Sequence, residues 1–446
     1  MTRRFSVVLV TVTLGAFTLQ KLPAAVGQDR SPREIAKEAR FTHDSNFDPE
    51  VGSAGPSRAG AAEAPAAYDN LSNGFDPQGD PYETLTESNV VPSRSFNDNR
   101  FVFEQVETVS DGLGPTYNAQ SCRECHQNIV TGGASQVTVL RAGHLVNGTF
   151  FDSPGGSLIH SRATSPDIIE LVSPADPIRT FRISPSTLGD GFVEAIANST
   201  LIGIRDGQPA ALRGTAVIVP VLEANGRARV GRFGWKAQHA SLESFAADAY
   251  LNEIGITSPF FPDENTSSGR DVSAFDPVKD PEDNGEDVVA FANFMRATKA
   301  PPRGAQTASV TAGELVFNKA GCAVCHVASI TTAPLGTIIN GGKLTVRAAV
   351  GNKIIHPYSD FLLHDVGTGD GIPIQPTAEY ASTANQVRTA PLWGLRTRNR
   401  LMHDGLTFTR EDAILRHGNQ AAASKRLFQD LSPADRSSLL AFLNSL

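Results

Sequence analysis

Apolar positions recur every three or four residues in a few separated stretches of the chain, and each stretch carries its own start and stop signals. In "DNGEDVVAFANFMRAT", Val288, Phe291, Ala292 and Met295 share one helical face behind Asp283 and Glu286, which stand at capping-box spacing. "APPRG" then stops the run near residue 300. "LSPADRSSLLAFLNSL" offers Ser432 as N-cap, Pro433 at the first helical position and Asp435 in the first turn, ahead of a stripe of Leu439, Phe442, Leu443 and Leu446. "TAGELVFNKAG" predicts a further helix, capped by Thr311 and Glu314 and carrying Leu315, Val316 and Phe317. Two more start at Ser241 and Thr409, with Glu243 and Glu411 in their first turns. Together these periods predict a mainly α fold.

The segments between are read by composition. "MTRRF", the apolar run "SVVLVTVTLGAFTL" and the small residues of "AAVG" form a secretory signal over residues 1–27. The run is too short for a comfortable membrane span, so no span is expected once the signal is cleaved; a retained N-terminal anchor is the minor alternative. The expected location is periplasmic or secreted. Residues 28–95, with "GSAGPSRAGAAEAPAA", hold few large apolar side chains and read as an arm or linker. The rest divides into two units, 96–300 and 301–446.

Charge narrows the partners and the cysteines narrow the chemistry. The 446 residues carry 39 basic and 47 acidic side chains, a net charge of −8, and no basic block that could displace phosphate counterions; nucleic acid is therefore not an expected partner. Four cysteines are too few for a disulfide framework of an exported chain, so their spacing decides. They fall in two copies of one pattern, "SCRECHQ" with Cys122, Cys125 and His126, and "GCAVCHV" with Cys322, Cys325 and His326.

CxxCH suits covalent haem attachment: one short helical turn presents both thiols to the haem vinyl groups and the imidazole to the iron. A zinc site would want a second close ligand pair, and here the pairs are far apart in sequence. A disulfide-exchange motif would want a βαβ frame, which the pattern does not offer. The second motif lies between two of the helices above, the outline of a cytochrome c unit. The unit also repeats. "RFGWKAQHASLESFA" aligns without gaps with "RLMHDGLTFTREDAI", residue 232 against residue 400, and "RISPSTLG" resembles "RTAPLWGL" upstream. In that alignment Ala249 stands opposite His417.

The sixth iron ligand separates a relay from a reactive centre. Methionine or histidine closes the site, whereas an open position admits peroxide or oxygen. The chain has only Met1, Met295 and Met402, and histidine is better supplied.

In "DGLGPTYNAQSCRECH", "GRFGWKAQHASLESFAADAYLNEIGITS", "EDNGEDVVAFANFMR", "GCAVCH", "YSDFLLHDVG" and "RTAPLWGLRTRNRLMHDGLTFTREDAILRHG", the chain resembles the di-haem oxidoreductase family and is similar to the bacterial di-haem cytochrome c peroxidases. The resemblance runs from about residue 100 to the C-terminus. It implies two covalently bound haem c groups and a distal ligand for the second haem at His417, which also falls in the helix begun at Thr409. It implies a movable distal histidine for the first haem near His144, with His160 as runner-up, and a distal glutamate at Glu243. The accompanying glutamine position is Phe233 here, so Lys236 and His239 stand as alternative catalytic groups beside Glu243. A calcium ion between the haem units also belongs to the resemblance, with no ligands assigned. "LLHDVG" and "LMHDG", with His364 and His403, read as structural turns near haem.

The expectation is thus a periplasmic di-haem c-type cytochrome whose first haem is a peroxidase-like catalytic centre acting on a small oxidant or substrate. Its second haem would relay electrons from a redox partner such as a small cytochrome or cupredoxin. The alternative is an electron carrier with both irons six-coordinate, and a zinc-stabilised structural protein is the third reading.

Overall fold

The computed structural model describes residues 47, 48, 50, 60–68 and 93–446. The signal segment and most of the Gly, Ala and Pro-rich stretch lie outside the described residues. Where the arm is described, it is built into the body. Glu50 accepts from Arg229 Nη2 at 3.0 Å and from the Asn198 amide at 2.7 Å, and Asp48 accepts from the Gly341 amide at 2.7 Å.

The expectation of a mainly α chain is corrected: 34% of the structure is helix and 17% strand, with the strands in several small sheets. Strand β1 (Ala62–Glu63) lies at the edge of one of them. The largest centres on β2 (Thr138–Val146), which pairs antiparallel with β3 (Thr149–Asp152) and β4 (Leu158–Ile159) along one edge and β5 (Ile178–Ile183) along the other. A hairpin of β6 (Ile218–Val221) and β7 (Arg227–Val230) stands apart. Two further strands, β8 (Ile330–Thr331) and β9 (Lys353–Ile355), complete a three-stranded sheet in which β1 runs parallel to β9. The physical reason for the miss is length. A twelve-residue helix shows three turns of period, whereas most of these strands are two to six residues long and show one or two alternations.

The expected helices form, with their starts adjusted by capping. Helix α1 (Ser93–Glu104) precedes the short first-motif helix α2 (Cys122–Cys125). Helix α3 (Leu242–Ala249) is capped by Ser241 and widens into a π-turn at Tyr250–Ile254. Helix α4 (Glu286–Ala297) has Gly285 at the N-cap, and Asp283 reaches past it to accept from the amides of Asp287 and Val288. Helix α5 (Ala308–Lys319) starts earlier than expected because Thr307, not Thr311, supplies the capping oxygen. Helix α6 (Arg410–Arg416) starts at Thr409 and α7 (Pro433–Leu443) at Ser432, as their caps imply.

Two cores result. The larger packs α1, α3 and α4 through Phe96, Phe103, Phe291 and Phe294, and takes in Ile330, Ile355 and Trp393 from beyond residue 300. The smaller packs α5 against α7 through Val310, Phe317, Leu439, Phe442, Leu443 and Leu446, so the terminal stripe read from the sequence is buried where α5 meets it. Gly313 permits that approach: a Cβ there would sit 1.9 Å from the Ser438 carbonyl oxygen. Gly313→Val is expected to force the helices apart and cost roughly 1–3 kcal/mol or more, as overpacking does. Denaturant unfolding of the holo-protein measures it, and an unchanged midpoint would show that the contact is not restrictive.

Candidate functional site

The second CxxCH lies in a tight turn after α5, with the His326 amide bonded to the Cys322 carbonyl at 3.0 Å. The His326 Nδ1–H donates to the Tyr358 carbonyl at 3.0 Å, which fixes the tautomer and leaves Nε2 as the free ring nitrogen. Phe317 of α5 stands beside the ring, and Tyr358 is held by Glu314 of the same helix. His417, at the C-cap of α6, uses its Nδ1–H in the same way, on the Ala413 carbonyl at 2.7 Å. Burial lowers the pKa of both imidazoles, His326 to about 4, so both are neutral at pH 7 and fit to ligate a metal.

Cys322, Cys325, His326 and His417 all line one hollow of about 1560 Å³, open solvent at its mouth included. The wall also carries Arg388, Arg398, Arg410, Trp235, Met402 and His403. None of these three guanidiniums makes an ion pair with a carboxylate among the described residues. Burial depresses all three, Arg388 and Arg398 to about 10, and the Nε atoms of Arg398 and Arg410 are buried without a hydrogen-bond partner. His403, 3% exposed, likewise leaves Nδ1 unpartnered. Asp190 and Asp360 act on Arg388, whereas Arg398 and Arg410, partly buried, have no carboxylate paired with them among the described residues, so their side of the wall suits an anion. A haem fits: its ring matches an apolar hollow, its propionates supply negative charge, and two thiols and two neutral imidazoles face the same space.

The two histidine turns hold this geometry. The His364 Nε2–H meets Asp360 Oδ2 at 2.8 Å, and Nδ1 lies 3.6 Å from Cys325 Sγ. Burial opposes protonation of His364, but the bond to Asp360 outweighs it and pushes the ring up to about 10. Asp404, next to His403, clamps the Arg416 guanidinium at 3.0 and 2.5 Å and so anchors the last turn of α6 in front of His417. Trp235 sits in a turn closed by the Phe233 and His239 backbone. Gly231 lets the turn close, since a Cβ there would lie 1.8 Å from the Ala237 carbonyl oxygen. The Trp235 indole N–H donates to Ile183 at 2.6 Å, and its ring meets His403 edge-on at 6.1 Å.

The first CxxCH forms α2, with Ser121 as N-cap. His126 Nδ1 approaches the Gly133 carbonyl at 3.3 Å, Phe103 of α1 stands beside the ring at 6.3 Å, and burial lowers its pKa to about 4. All four cysteines are free thiols. Ala134, Ser135 and Pro185, from the loops around His126, also line the hollow of the second motif, so the two motifs share a wall.

The other residues singled out in the sequence do not gather at His126 through any hydrogen bond, ion pair or ring contact among the described residues. His144 is bonded to Asp176 at 2.7 Å and stacked on Phe151 of the sheet. His160 is buried with both nitrogens engaged, by Glu170 and the Asn252 carbonyl. Lys236 has its ammonium within 3.1 Å of the carbonyls of Thr383, Ala384 and Gln386 and 2.8 Å from Asp370, so all three N–H donors are committed; burial lowers its pKa to about 8. His239 lies 3.2 Å from Asp248. Burial raises the Glu243 carboxyl, reinforced by Glu223, while Arg296 opposes the rise. Opposite His417 in the repeat, Ala249 ends α3, and the next residue is Tyr250 of the π-turn.

For calcium, Glu264, Asp276, Asp280 and Glu282 bring one carboxylate oxygen each to within 4.8 Å of one another, the hard donors such an ion takes. Sequence reading missed Arg398, Arg410 and Tyr358. Arg398 and Arg410 lie inside a quoted stretch, yet a lone arginine is as often a solvated surface charge.

The family model described as "Di-haem oxidoreductase, putative peroxidase" matches residues 161–446, which include the second motif and His417. None of the curated proteins matches. Among solved structures, the chain is similar to a MauG-like protein associated with microbial copper homeostasis, with 14% identity over 86% of this chain and 93% of that one, TM-score 0.38. It is also similar to the hydrazine synthase of Kuenenia stuttgartiensis, with 14% identity over 91% and 97%, TM-score 0.36. A third is the diheme peroxidase BthA of Burkholderia thailandensis, with 14% identity over 86% and 94%, TM-score 0.38. Likenesses this distant carry no functional weight.

One scaffold interaction behind the site is open to a direct test. Asp370 pairs with Arg182 at 2.7 Å and Lys236 at 2.8 Å, all three buried, and fixes the turn that carries Trp235. Asp370→Ala leaves two buried cations unpaired and is expected to cost roughly 3–5 kcal/mol. The loss is read as a fall in the denaturant midpoint, and a shift of under about 1 kcal/mol would show that water or rearrangement replaces the carboxylate.

Proposed function

We propose, for a chain that belongs to the di-haem oxidoreductase family, an exported c-type oxidoreductase with two covalently bound haems in unequal roles. The observation that carries this reading is the placing of Cys322, Cys325, His326 and His417 around one arginine-walled hollow. Bound there, a haem supplies a one-electron couple, and where a coordination position stays open it also supplies a Lewis-acidic iron. Thioether bonds from the two cysteine pairs hold the rings. His326 and His417, each oriented through Nδ1, would hold the second iron, and that centre would serve as a relay. Arg398 and Arg410 would meet the negative charge of its propionates. His126 would hold the first iron, and with Ala249 where the repeat has His417 that centre would supply chemistry toward peroxide or another small oxidant or substrate.

The division into units at 96–300 and 301–446 follows the same logic, one haem to each. A small cytochrome or cupredoxin is the redox partner this arrangement suits, and a calcium ion at the Glu264, Asp276, Asp280 and Glu282 carboxylates would offset their repulsion. The carrier reading keeps one observation in its favour: Glu243, Lys236, His239 and His144 make no contact with His126 among the described residues. A peroxidase centre needs an acid-base group near the open face.

Absorption and EPR spectra of holo-protein matured in a cytochrome c-competent host test the reading. Two haems per chain are expected, one low-spin and one high-spin, with the high-spin signal lost on adding peroxide. Two low-spin haems inert to peroxide would establish the carrier, and fewer than two haems would end the proposal. His417→Ala is expected to convert the low-spin centre to high-spin with both haems retained. An unchanged spectrum would remove His417 as ligand, with Met402, which lines the same hollow, next in line.

A further inference from the structure

Beside the first motif lies a buried acidic cluster for which the proposed chemistry has no use. Glu107 is 2% exposed, and its backbone is tied to Gln120, two residues before Cys122, by amide-to-carbonyl and side-chain bonds of 2.7 and 3.1 Å. The Tyr250 hydroxyl, 3% exposed, lies 3.2 Å from Glu107 Oε1 and 3.3 Å from Asp287 Oδ2 of α4. One hydroxyl has one proton to donate. Two carboxylates therefore share that one hydroxyl proton, Gln105 Nε2 adds only a long contact of 3.5 Å to Glu107 Oε2, and no Lys, Arg or His makes an ion pair with either among the described residues. Two carboxylates this close, one buried and one partly so, bind a proton more readily than either would alone.

The cluster is wired to the motif in two ways. Through space, the charges of Glu107 and Asp287 both act on the Cys122 thiol, which burial has already pushed up. Through packing, Tyr250 meets Phe291 edge-on at 4.9 Å, Phe291 meets Phe103 at 6.2 Å and Phe103 meets the His126 ring at 6.3 Å. The buried rings of Phe291 and Phe103 lie between the cluster and the His126 ring, so charge at the first motif and charge at the cluster interact through a medium of low polarisability.

We infer that Glu107, Tyr250 and Asp287 form a redox-linked proton site for the centre at Cys122–His126, taking up one proton when that centre gains one electron. The inference rests on the two-haem reading. The electron comes from the redox partner or a chemical titrant and the proton from solvent; the proton settles on the carboxylate pair, and no covalent bond outside it changes. An added electron raises the proton affinity of a nearby carboxylate, so reduction and protonation favour each other. Tyr250 and Asn252 belong to the π-turn, Asp283, Glu286 and Asp287 to the start of α4, and Asp111, Gln105 and Gln120 to the adjoining loops. Those carboxylates all favour proton retention, and the amides offset little of it. Burial, helped by Asp287 and Asp111, raises Glu107 to about 7, within the range where such a site would respond.

Potentiometric titration of the full-length holo-protein, following each haem by its absorption between pH 5.5 and 8.5, tests the inference. The reduced-to-oxidised ratio of the first haem at fixed applied potential is expected to fall as pH rises through about 7, by up to about tenfold per pH unit. The second haem is expected to change little. Glu107→Gln keeps the hydrogen bond and is expected to flatten the first haem's profile. Tyr250→Phe, which frees both carboxylates from their shared donor, is expected to displace the bend to higher pH and serves if the glutamine variant does not fold. The reduced-minus-oxidised infrared spectrum should show a protonated carboxyl band that Glu107→Gln removes. A wild-type profile retained in both variants, or a pH-independent first haem, overturns the inference while leaving two haems intact. A chain with no haem at Cys122 and Cys125 overturns the two-haem reading as well, and haem counting tells the cases apart.

Discussion

A guanidinium out of water needs acceptors, and this chain supplies carboxylates to several of them in the body but only carbonyls and an amide to Arg232, and only carbonyls to Arg398 and Arg410 at the second motif. Glu194 pairs with Arg296 at 2.7 Å, Glu50 with Arg229 at 3.0 Å and Asp370 with Arg182 at 2.7 Å, all deep in the body. Each pair joins segments distant in sequence, and each would be costly to break one partner at a time. Around the second motif the pattern stops. Arg398 and Arg410 are held by backbone carbonyls, with Nε left over, next to an apolar hollow faced by two neutral imidazoles. In the proposed reading the negative charge there comes from haem propionates.

The same logic explains how the imidazoles are kept ready. His126, His326 and His417 all have Nδ1 at a backbone carbonyl and a pKa lowered by burial, so each presents a neutral ring with one nitrogen free. His364 is the contrast. Its bond to Asp360 outweighs burial and pushes its pKa up to about 10, and its other nitrogen lies beside the Cys325 thiol.

Much of this was legible in the chain. The CxxCH pair, the caps at Ser241, Thr409 and Ser432, the terminal apolar stripe and the weak repeat setting Ala249 against His417 are local patterns, and local patterns survive into the fold. At the position where α6 ends in a histidine, α3 continues into a π-turn. The strands were not legible. β2 buries Val139 and Ala142 yet carries Arg141 and His144 in the same run, and its pairing partners lie as far away as Ile183 opposite Thr138.

Local sequence determined the two CxxCH motifs, where helices begin, and the presence of a histidine in one half with none opposite it. Only the tertiary structure decided which side chains share a space. Lys236, a candidate acid-base group by position, is spent on three carbonyls and Asp370; Arg398 and Arg410, unremarked in the chain, line the hollow; and Glu107 meets Tyr250 and Asp287 across more than a hundred residues. The reason is physical. A cap or a CxxCH turn closes within a few residues and is paid for locally, whereas the state of a buried charge depends on every group packed around it, and those come from the whole chain.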